Sequence, residues 1–423
     1  MAILLSPFGW VEHPHRALIH AETHARPVPA VLAPAIIRRV AFMSADRGRD
    51  LTELQRRMAD LSETAAEHAA AARQLEFERE GRAVIWEMHN EFTTLTWKSA
   101  PDDSEIWPTG IGLEWHKDLA FVSATRIDVL DEEAIPSQRL ARLAPSSLCH
   151  SSIYGGQAEA ATDFTPDAEQ FVSFTVAAAR CGDQRRGVIV RRLLEIETYR
   201  CFTLLGLPVA RQLGGLVQEF EQRLGRIMGE LGEQSSPDGH RQAFDALHQL
   251  SVEAGRAVED TSFRFAATQA YGQILNDRLP RLGENAIGES TTLERYLDNR
   301  MQPALSTCRA MEKRLVDLTV KVQRSIELLD TRITVSIQTQ NQEVLDTILN
   351  TAKSQFRLQQ TVEGLSIFAI SYYVLGIVGY VLEGLDGRLP IDKPLAVAIV
   401  APFVLLIVYF GIRRLRRVHG LSQ

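Results

Sequence analysis

Two stretches near the C-terminal end carry no charged residue, and each is long enough to cross a lipid bilayer. They read LSIFAISYYVLGIVGYVL from Leu365 to Leu382 and LAVAIVAPFVLLIVYFGI from Leu395 to Ile412, 18 residues apiece. A hydrocarbon core of about 30 Å takes about 20 helical residues at 1.5 Å each, so both runs fit with slight help from their flanks. The connection from Glu383 to Pro394 is rich in glycine and proline, which marks a turn. An antiparallel hairpin is therefore expected. Arg413, Arg414, Arg416 and Arg417 follow the second run, whereas the loop holds only Arg388 and Lys393. The excess of positive charge assigns the C-terminus to the cytoplasm, and two crossings return the remainder of the chain to the same side. The opening residues MAILLSPFG lack a basic region and a long apolar core, so no secretory signal is expected.

Upstream of the hairpin, residues 304–363 contain neither proline nor glycine. Leu305, Cys308, Met311, Leu315, Leu318, Val322, Ile326, Leu329, Ile333 and Ile337 recur in steps of three and four, the stripe of an amphipathic helix. Nearer the hairpin, Glu343, Asp346, Asn350, Lys353, Arg357 and Gln360 form a polar row, with Val344, Leu345, Ile348, Leu349 and Phe356 on other faces. A helix running from Ala304 to Leu382 would be about 120 Å long. Its apolar stripe needs partners from this chain or from other copies of it. The polar row stands where a pore vestibule or a solvated helix face would lie. Gly376 and Gly379, with Ser371 and Gly384 nearby, allow close helix approach within the hairpin or between subunits.

The preceding residues read as an α+β cytoplasmic domain over 1–180 and a helical domain with the stalk helix over 181–363. The hairpin (364–412) and a basic tail (413–423) follow. A strand is expected at Ile36–Ala41 and a helix from about Asp50 to Arg73. Strands follow at Ala83–Lys98, Leu119–Val122, Arg126–Leu130 and Phe171–Ala178. Helices are expected at Gly187–Leu205, Val209–Leu231 and Gln242–Leu275, with a linker at Gln234–Gly239.

Composition narrows the function. A net charge of -7 argues against a nucleic-acid binder, whose phosphate contacts need clustered lysine and arginine. The four cysteines, Cys149, Cys181, Cys201 and Cys308, form no CxxC pair and read as buried apolar residues of a reducing compartment. No GxGxxG, GxxxxGK[ST] or GxSxG motif occurs, so the reading leans away from an enzyme.

Two groups of residues carry candidate chemistry. His20 and His24 stand four apart with Glu22 between them, a helical spacing compatible with a metal but lacking the HExxH order. On a strand from Ala83 to Lys98, Glu87, His89 and Glu91 would share one face, opposite Trp86 and Met88. Such a face suits a polar network with arginines such as Arg16 and Arg26 that locks the N-terminal segment onto the sheet. It also suits a ligand or divalent cation, or acid–base chemistry.

Four segments together resemble a bacterial family of membrane-anchored proteins of unknown function, DUF3422. They are His13-Pro14-x-Arg16 with Glu22-Thr-His24-Ala-Arg26-Pro27; Trp86-Glu87-x-His89-x-Glu91-Phe92-Thr93; Leu193-Leu-Glu-Ile-Glu-Thr-Tyr-Arg200; and Leu358-Gln-Gln-Thr-Val-Glu-Gly-Leu-Ser366 with Ala369-Ile-Ser-Tyr-Tyr373. The resemblance implies a bacterial inner-membrane location and no assigned activity. The layout also resembles CorA-type magnesium channels, pentamers built around the first membrane helix, which implies a homo-oligomer and ion transport. Gly376-Ile-Val-Gly379-Tyr380-Val381-Leu382-Glu383 stands where that family closes its first helix with Gly-Met-Asn, and Tyr380 and Val381 replace the Met and Asn. That departure argues against magnesium selectivity. Two functions follow as expectations: a divergent ion channel or transporter, and a non-conducting scaffold or ligand sensor. No cofactor is expected beyond a possible divalent cation; the expected partners are the lipid bilayer and further copies of the chain.

Overall fold

The computed structural model describes residues 27–44, 49–62, 73–79, 81–101, 106–107, 119–233, 236–384 and 393–419, together with His13, His15, Arg16, Ile19 and His20. It divides into two compact units, Met1–Ile326 and Glu327–Gln423.

The first unit is built on a sheet of nine strands among the described residues, with a mixed α/β order as expected. Its strands are β1 (Ala35–Ser44), β2 (Gln74–Arg79), β3 (Arg82–Met88), β4 (Phe92–Ser99), β5 (Leu119–Leu130), β6 (Cys149–Ile153), β7 (Ala158–Thr162), β8 (Val172–Ala177) and β9 (Asn285–Ala286). They lie in the order β2-β3-β4-β1-β5-β8-β7-β6-β9. Only the β5–β8 pair is parallel. Strand β1 sits between β4 and β5 and is buried over almost its whole length, because both sheet faces are covered.

One face packs on the short helix α1 (Arg49–Leu61), where Leu54 and Met58 meet Val40, Trp86, Leu95 and Trp97. The opposite face carries α3 (Asp183–Leu204), whose Ile189, Val190, Leu193 and Leu194 join Ile37, Ile127 and Val129. A four-residue helix α2 (Ser137–Leu140) lies between β5 and β6. Then α4 (Gly206–Glu233) and α5 (Pro237–Arg278) pack with the first part of α6 (Leu293–Glu383). Val217, Phe220, Leu250, Phe265, Leu315 and Val322 form their shared core. Ion pairs cross the same helices: Arg223 bonds Glu253, and Arg314 donates from Nε to Glu221 at 2.9 Å.

Several expectations shift. The strand expected from Ala83 to Lys98 is a hairpin, β3 and β4, closed where the His89 N–H donates to Phe92 O at 2.8 Å across Asn90 and Glu91. The two strands expected at 119–122 and 126–130 are one, β5, whose register against β1 slips between Ala41 and Phe42. Helix α1 ends at Leu61, and Arg73 stands at the bend into β2. Residues 63–72 lie outside those described. The long helix starts at Leu293, eleven residues before Ala304, and takes Pro303 into its interior.

The reason for that early start is a remote cap. Helix α6 opens with unpaired N–H groups, and Glu284 reaches them: its carboxylate accepts from Leu293 N at 3.0 Å and Glu294 N at 2.8 Å. The same carboxylate accepts from Ser151 Oγ of β6 at 2.6 Å, and the Thr292 hydroxyl accepts from Arg295 N at 3.1 Å. Burial raises the Glu284 carboxyl above its ordinary value.

The second unit holds the remainder of α6 and helix α7 (Lys393–His419). Both helices contain a window long and apolar enough to cross a membrane, and only 6% of each window is buried inside the chain. A core helix of a soluble protein would be mostly covered. Ser371 and Val404 are buried here, whereas Leu365 is 74% exposed and Tyr380 78%.

Replacing Glu284 with alanine strips three donors of their acceptor. We expect a loss of about 2 kcal/mol for Glu284→Ala and about 1 kcal/mol for Ser151→Ala, read by thermal unfolding of the full chain in detergent. Equal stability of Glu284→Ala and wild type would remove the capping role.

Candidate functional site

The β3–β4 turn splits the Glu87, His89 and Glu91 group. Glu87 remains on strand β3, facing α3. It accepts from Arg39 Nη2 at 2.6 Å, and the Thr94 hydroxyl lies 3.5 Å from the same oxygen. Arg39 Nε donates to Thr96 at 2.7 Å. The Arg39 and Glu87 side chains are 8% and 7% exposed, so this is a buried pair, with the register of β1, β3 and β4 bringing it together.

Glu91 stands in the turn itself. Its carboxylate takes both terminal nitrogens of Arg264 on α5, one at 3.2 Å and the other closer. The Tyr271 phenol lies near the same carboxylate. Burial first, and then the charge of Glu91, pushes the Tyr271 phenol well above its ordinary range. His89 stacks on Phe92 at 4.1 Å between ring centres, and Phe92 stacks on Phe202 of α3 at 4.1 Å. Tyr199 and Tyr271 close this aromatic cluster at 5.7 Å. The turn is thus clamped between α3 and α5, and Glu87, His89 and Glu91 do not share one face. The missed signal was Asn90, a turn residue inside an otherwise strand-like run.

The Leu193–Arg200 segment of α3 is a second internal clamp. Glu195 bridges Arg191 at 3.0 Å and Arg278 of α5 at 2.8 Å. Glu197, 1% exposed in its side chain, takes both Nε and Nη2 of Arg200 at 2.7 and 2.6 Å. Cys201 lies 3.4 Å from the same carboxylate. Burial pushes the Cys201 and Cys149 thiols up to about 12, so neither is a thiolate nucleophile at neutral pH. The four cysteines are unpaired by disulfides, and Cys149, Cys181 and Cys308 are buried, in keeping with their apolar reading.

Between the sheet and α3 lies a cavity of about 200 Å³. Its roof is the extended segment Pro27–Val31. Val31 N donates to Asp183 O at 3.0 Å, and the Gln184 side chain donates to Val28 O at 3.0 Å. Gly187 lets the roof approach, since a Cβ there would lie 2.0 Å from Pro29 O. Ile37, Ile85, Val190 and Leu194 supply the apolar walls, and Arg39 and Glu87 stand in the lining. This cavity was not legible in the sequence, because its walls come from segments far apart in the chain.

Among the described residues no three His, Cys, Asp or Glu side chains gather where they could hold a metal. His20 is exposed; Glu22, His24 and Arg26 lie outside the described residues. Arg16 is exposed, and His15 N donates to His13 Nδ1 at 3.2 Å. In the second unit, Asn350, Arg357 and Gln360 are exposed along α6, as are Tyr380 and Glu383. A Cβ at Gly376 or Gly379 would meet no atom of the described residues within 4 Å.

Comparison with known proteins gives one strong match. The family described as "Protein of unknown function (DUF3422)" matches residues 11–419. No curated protein matches. Among solved structures, the CorA magnesium transporter from Methanocaldococcus jannaschii is similar at 8% identity, over 75% of this chain and 94% of that one, with a TM-score of 0.18. A score that low carries no inference about fold or activity.

Two measurements check the clamp. Arg264→Met leaves the Glu91 carboxylate buried without its cation, and we expect a loss of about 3–5 kcal/mol in denaturant unfolding. The Tyr271 phenol, raised in the folded state, contributes stability that is complete below its unfolded value of about 10 and lost as pH rises beyond it. Stability of the wild type should therefore fall above about pH 10, and Tyr271→Phe should flatten that fall.

Proposed function

We propose, for a chain that belongs to the DUF3422 family of proteins of unknown function, a role as a self-associating membrane protein of the bacterial inner membrane. Its hairpin, 365–382 and 395–412, is the anchor, with both termini on the cytoplasmic side. Its association element is the helix that leads into the hairpin. One observation carries this reading: the large apolar residues of α6 from Val335 to Phe356 have no cover among the described residues. Val335, Ile337, Leu345, Ile348, Leu349 and Phe356 are all more than half exposed. Full burial of such a side chain contributes about 1.5–3 kcal/mol, so a row of them in water opposes the folded state until another surface covers it. The residues below the apolar window also include Asp346, Lys353 and Arg357, which bars the bilayer core as that cover. Copies of the same helix supply both the apolar face and a solvated polar side.

Ion conduction is one activity of such an assembly. It is favoured by the exposed row Glu343, Asp346, Asn350, Lys353, Arg357 and Gln360, which in a bundle would line a vestibule. Ligand sensing without conduction is the second activity, favoured by the roofed cavity of the first unit.

The mass of the detergent-solubilised full chain, read by light scattering or native mass spectrometry, tests association. We expect an oligomer, and a Leu345→Glu, Ile348→Glu double variant that shifts toward the monomer. A wild-type monomer at all concentrations would sink the proposal. In liposomes, divalent-cation flux above that of empty vesicles favours conduction; an oligomer without flux leaves sensing.

A further inference from the structure

We infer that the roofed cavity of the first unit binds a small carboxylate with an apolar body. This deepens the sensing reading, on which it rests for its purpose. The size comes first. An apolar cavity of about 150 Å³ accepts benzene, so one of about 200 Å³ has room for a ring or a branched chain plus one polar group. The walls come second. Ile37 of β1, Ile85 of β3 and Val190 and Leu194 of α3 enclose the space with aliphatic side chains.

The charge decides the polar group. Arg39 is buried and lines the cavity. Its Nε is committed to Thr96 and its Nη2 to Glu87, which leaves the Nη1 donors without an acceptor among the described residues. Lys98 lines the same space and has no ion pair or hydrogen-bond acceptor among the described residues. In the β1–β4 register Arg39 faces Thr96 while Lys98 faces Ile37, so the two cations are diagonal neighbours on one sheet face. Uncommitted donors on two neighbouring cations, set beside an apolar wall, fit a carboxylate whose hydrocarbon points at α3. A neutral ligand would give the Arg39 Nη1 and Lys98 donors no charged acceptor.

The roof explains entry. Pro27 and Pro29 have no N–H to give, and the segment is tied to α3 through Val31 N and the Gln184 side chain.

The test uses full-length protein in detergent and benzoate as the probe, with benzyl alcohol as its uncharged isostere and acetate as its charge without the ring. Binding is read by titration calorimetry and saturation-transfer NMR. We expect saturable benzoate binding, with both controls weaker by at least about tenfold, the worth of one charge-assisted hydrogen bond. Lys98→Met should weaken benzoate by about tenfold and leave benzyl alcohol unchanged. Ile85→Trp, which fills the cavity, should abolish binding, and the folded state of each variant is checked by its thermal transition. Absent saturation by benzoate, equal binding of benzyl alcohol, or benzoate binding that survives Ile85→Trp would each overturn the site. Benzoate binding that leaves association and flux unchanged keeps the site and removes the sensing role.

Discussion

Burying a carboxylate is what the first unit has to solve, and the solution positions most of its elements. Glu91 is nearly inaccessible, and a lone carboxylate there would be neutralised or expelled. Arg264, 173 residues further along the chain, crosses to it and grips both oxygens. That pairing sets the β3–β4 turn against α5. It thereby seats His89 and Phe92 in the aromatic cluster with Tyr199, Phe202 and Tyr271. The same logic recurs at Glu87 with Arg39, at Glu195 with Arg191 and Arg278, and at Glu197 with Arg200. Buried pairs of this kind add little net stability compared with hydrocarbon, but they penalise any arrangement that separates the partners.

This network leaves one place where the sheet and α3 do not close on each other. Gly187 admits the Pro29 carbonyl where any larger residue would collide, and the roof segment spans the gap that results. Arg39 belongs to both features, since its Nη2 holds Glu87 and the residue lines the cavity. A structural ion pair and the cavity lining thus share one guanidinium, whose planar fork offers donors in more than one direction.

The second unit follows a different rule. In the first, most apolar side chains find cover within the chain; along α6 from Val335 onward and along α7 most do not. For the two uncharged windows a bilayer is sufficient cover, because a helix satisfies its own backbone there. For the stretch between Val335 and the first window charges are interspersed with the apolar residues, which is the ground for the proposed association.

How much could be read in advance varied with the length scale of the signal. Periodicity and charge alone located the two apolar windows, the uninterrupted helix before them and the general passage from strands to helices, since each depends on residues close together in the chain. Of the stripe expected from Leu305 to Ile337, Leu305, Cys308, Leu315, Leu318, Val322 and Leu329 are buried, whereas Ile337 is exposed. The Glu87, His89 and Glu91 group was noticed for its residue types but misread as one face, because alternation along a strand cannot register a two-residue turn at Asn90. Nothing local in the sequence marks Arg39, Arg264, Glu284 or Gly187. Their roles rest on contacts with Glu87, Glu91, the first turn of α6 and Pro29, and a pairing between distant segments leaves no local mark. The sequence by itself determined which segments are helical and which are apolar enough for a membrane, because those properties arise from neighbours within a few turns. Which charges meet, where α6 begins and where the cavity opens were decided only by the tertiary structure, since a buried charge takes its partner from whichever strand or helix the fold brings beside it.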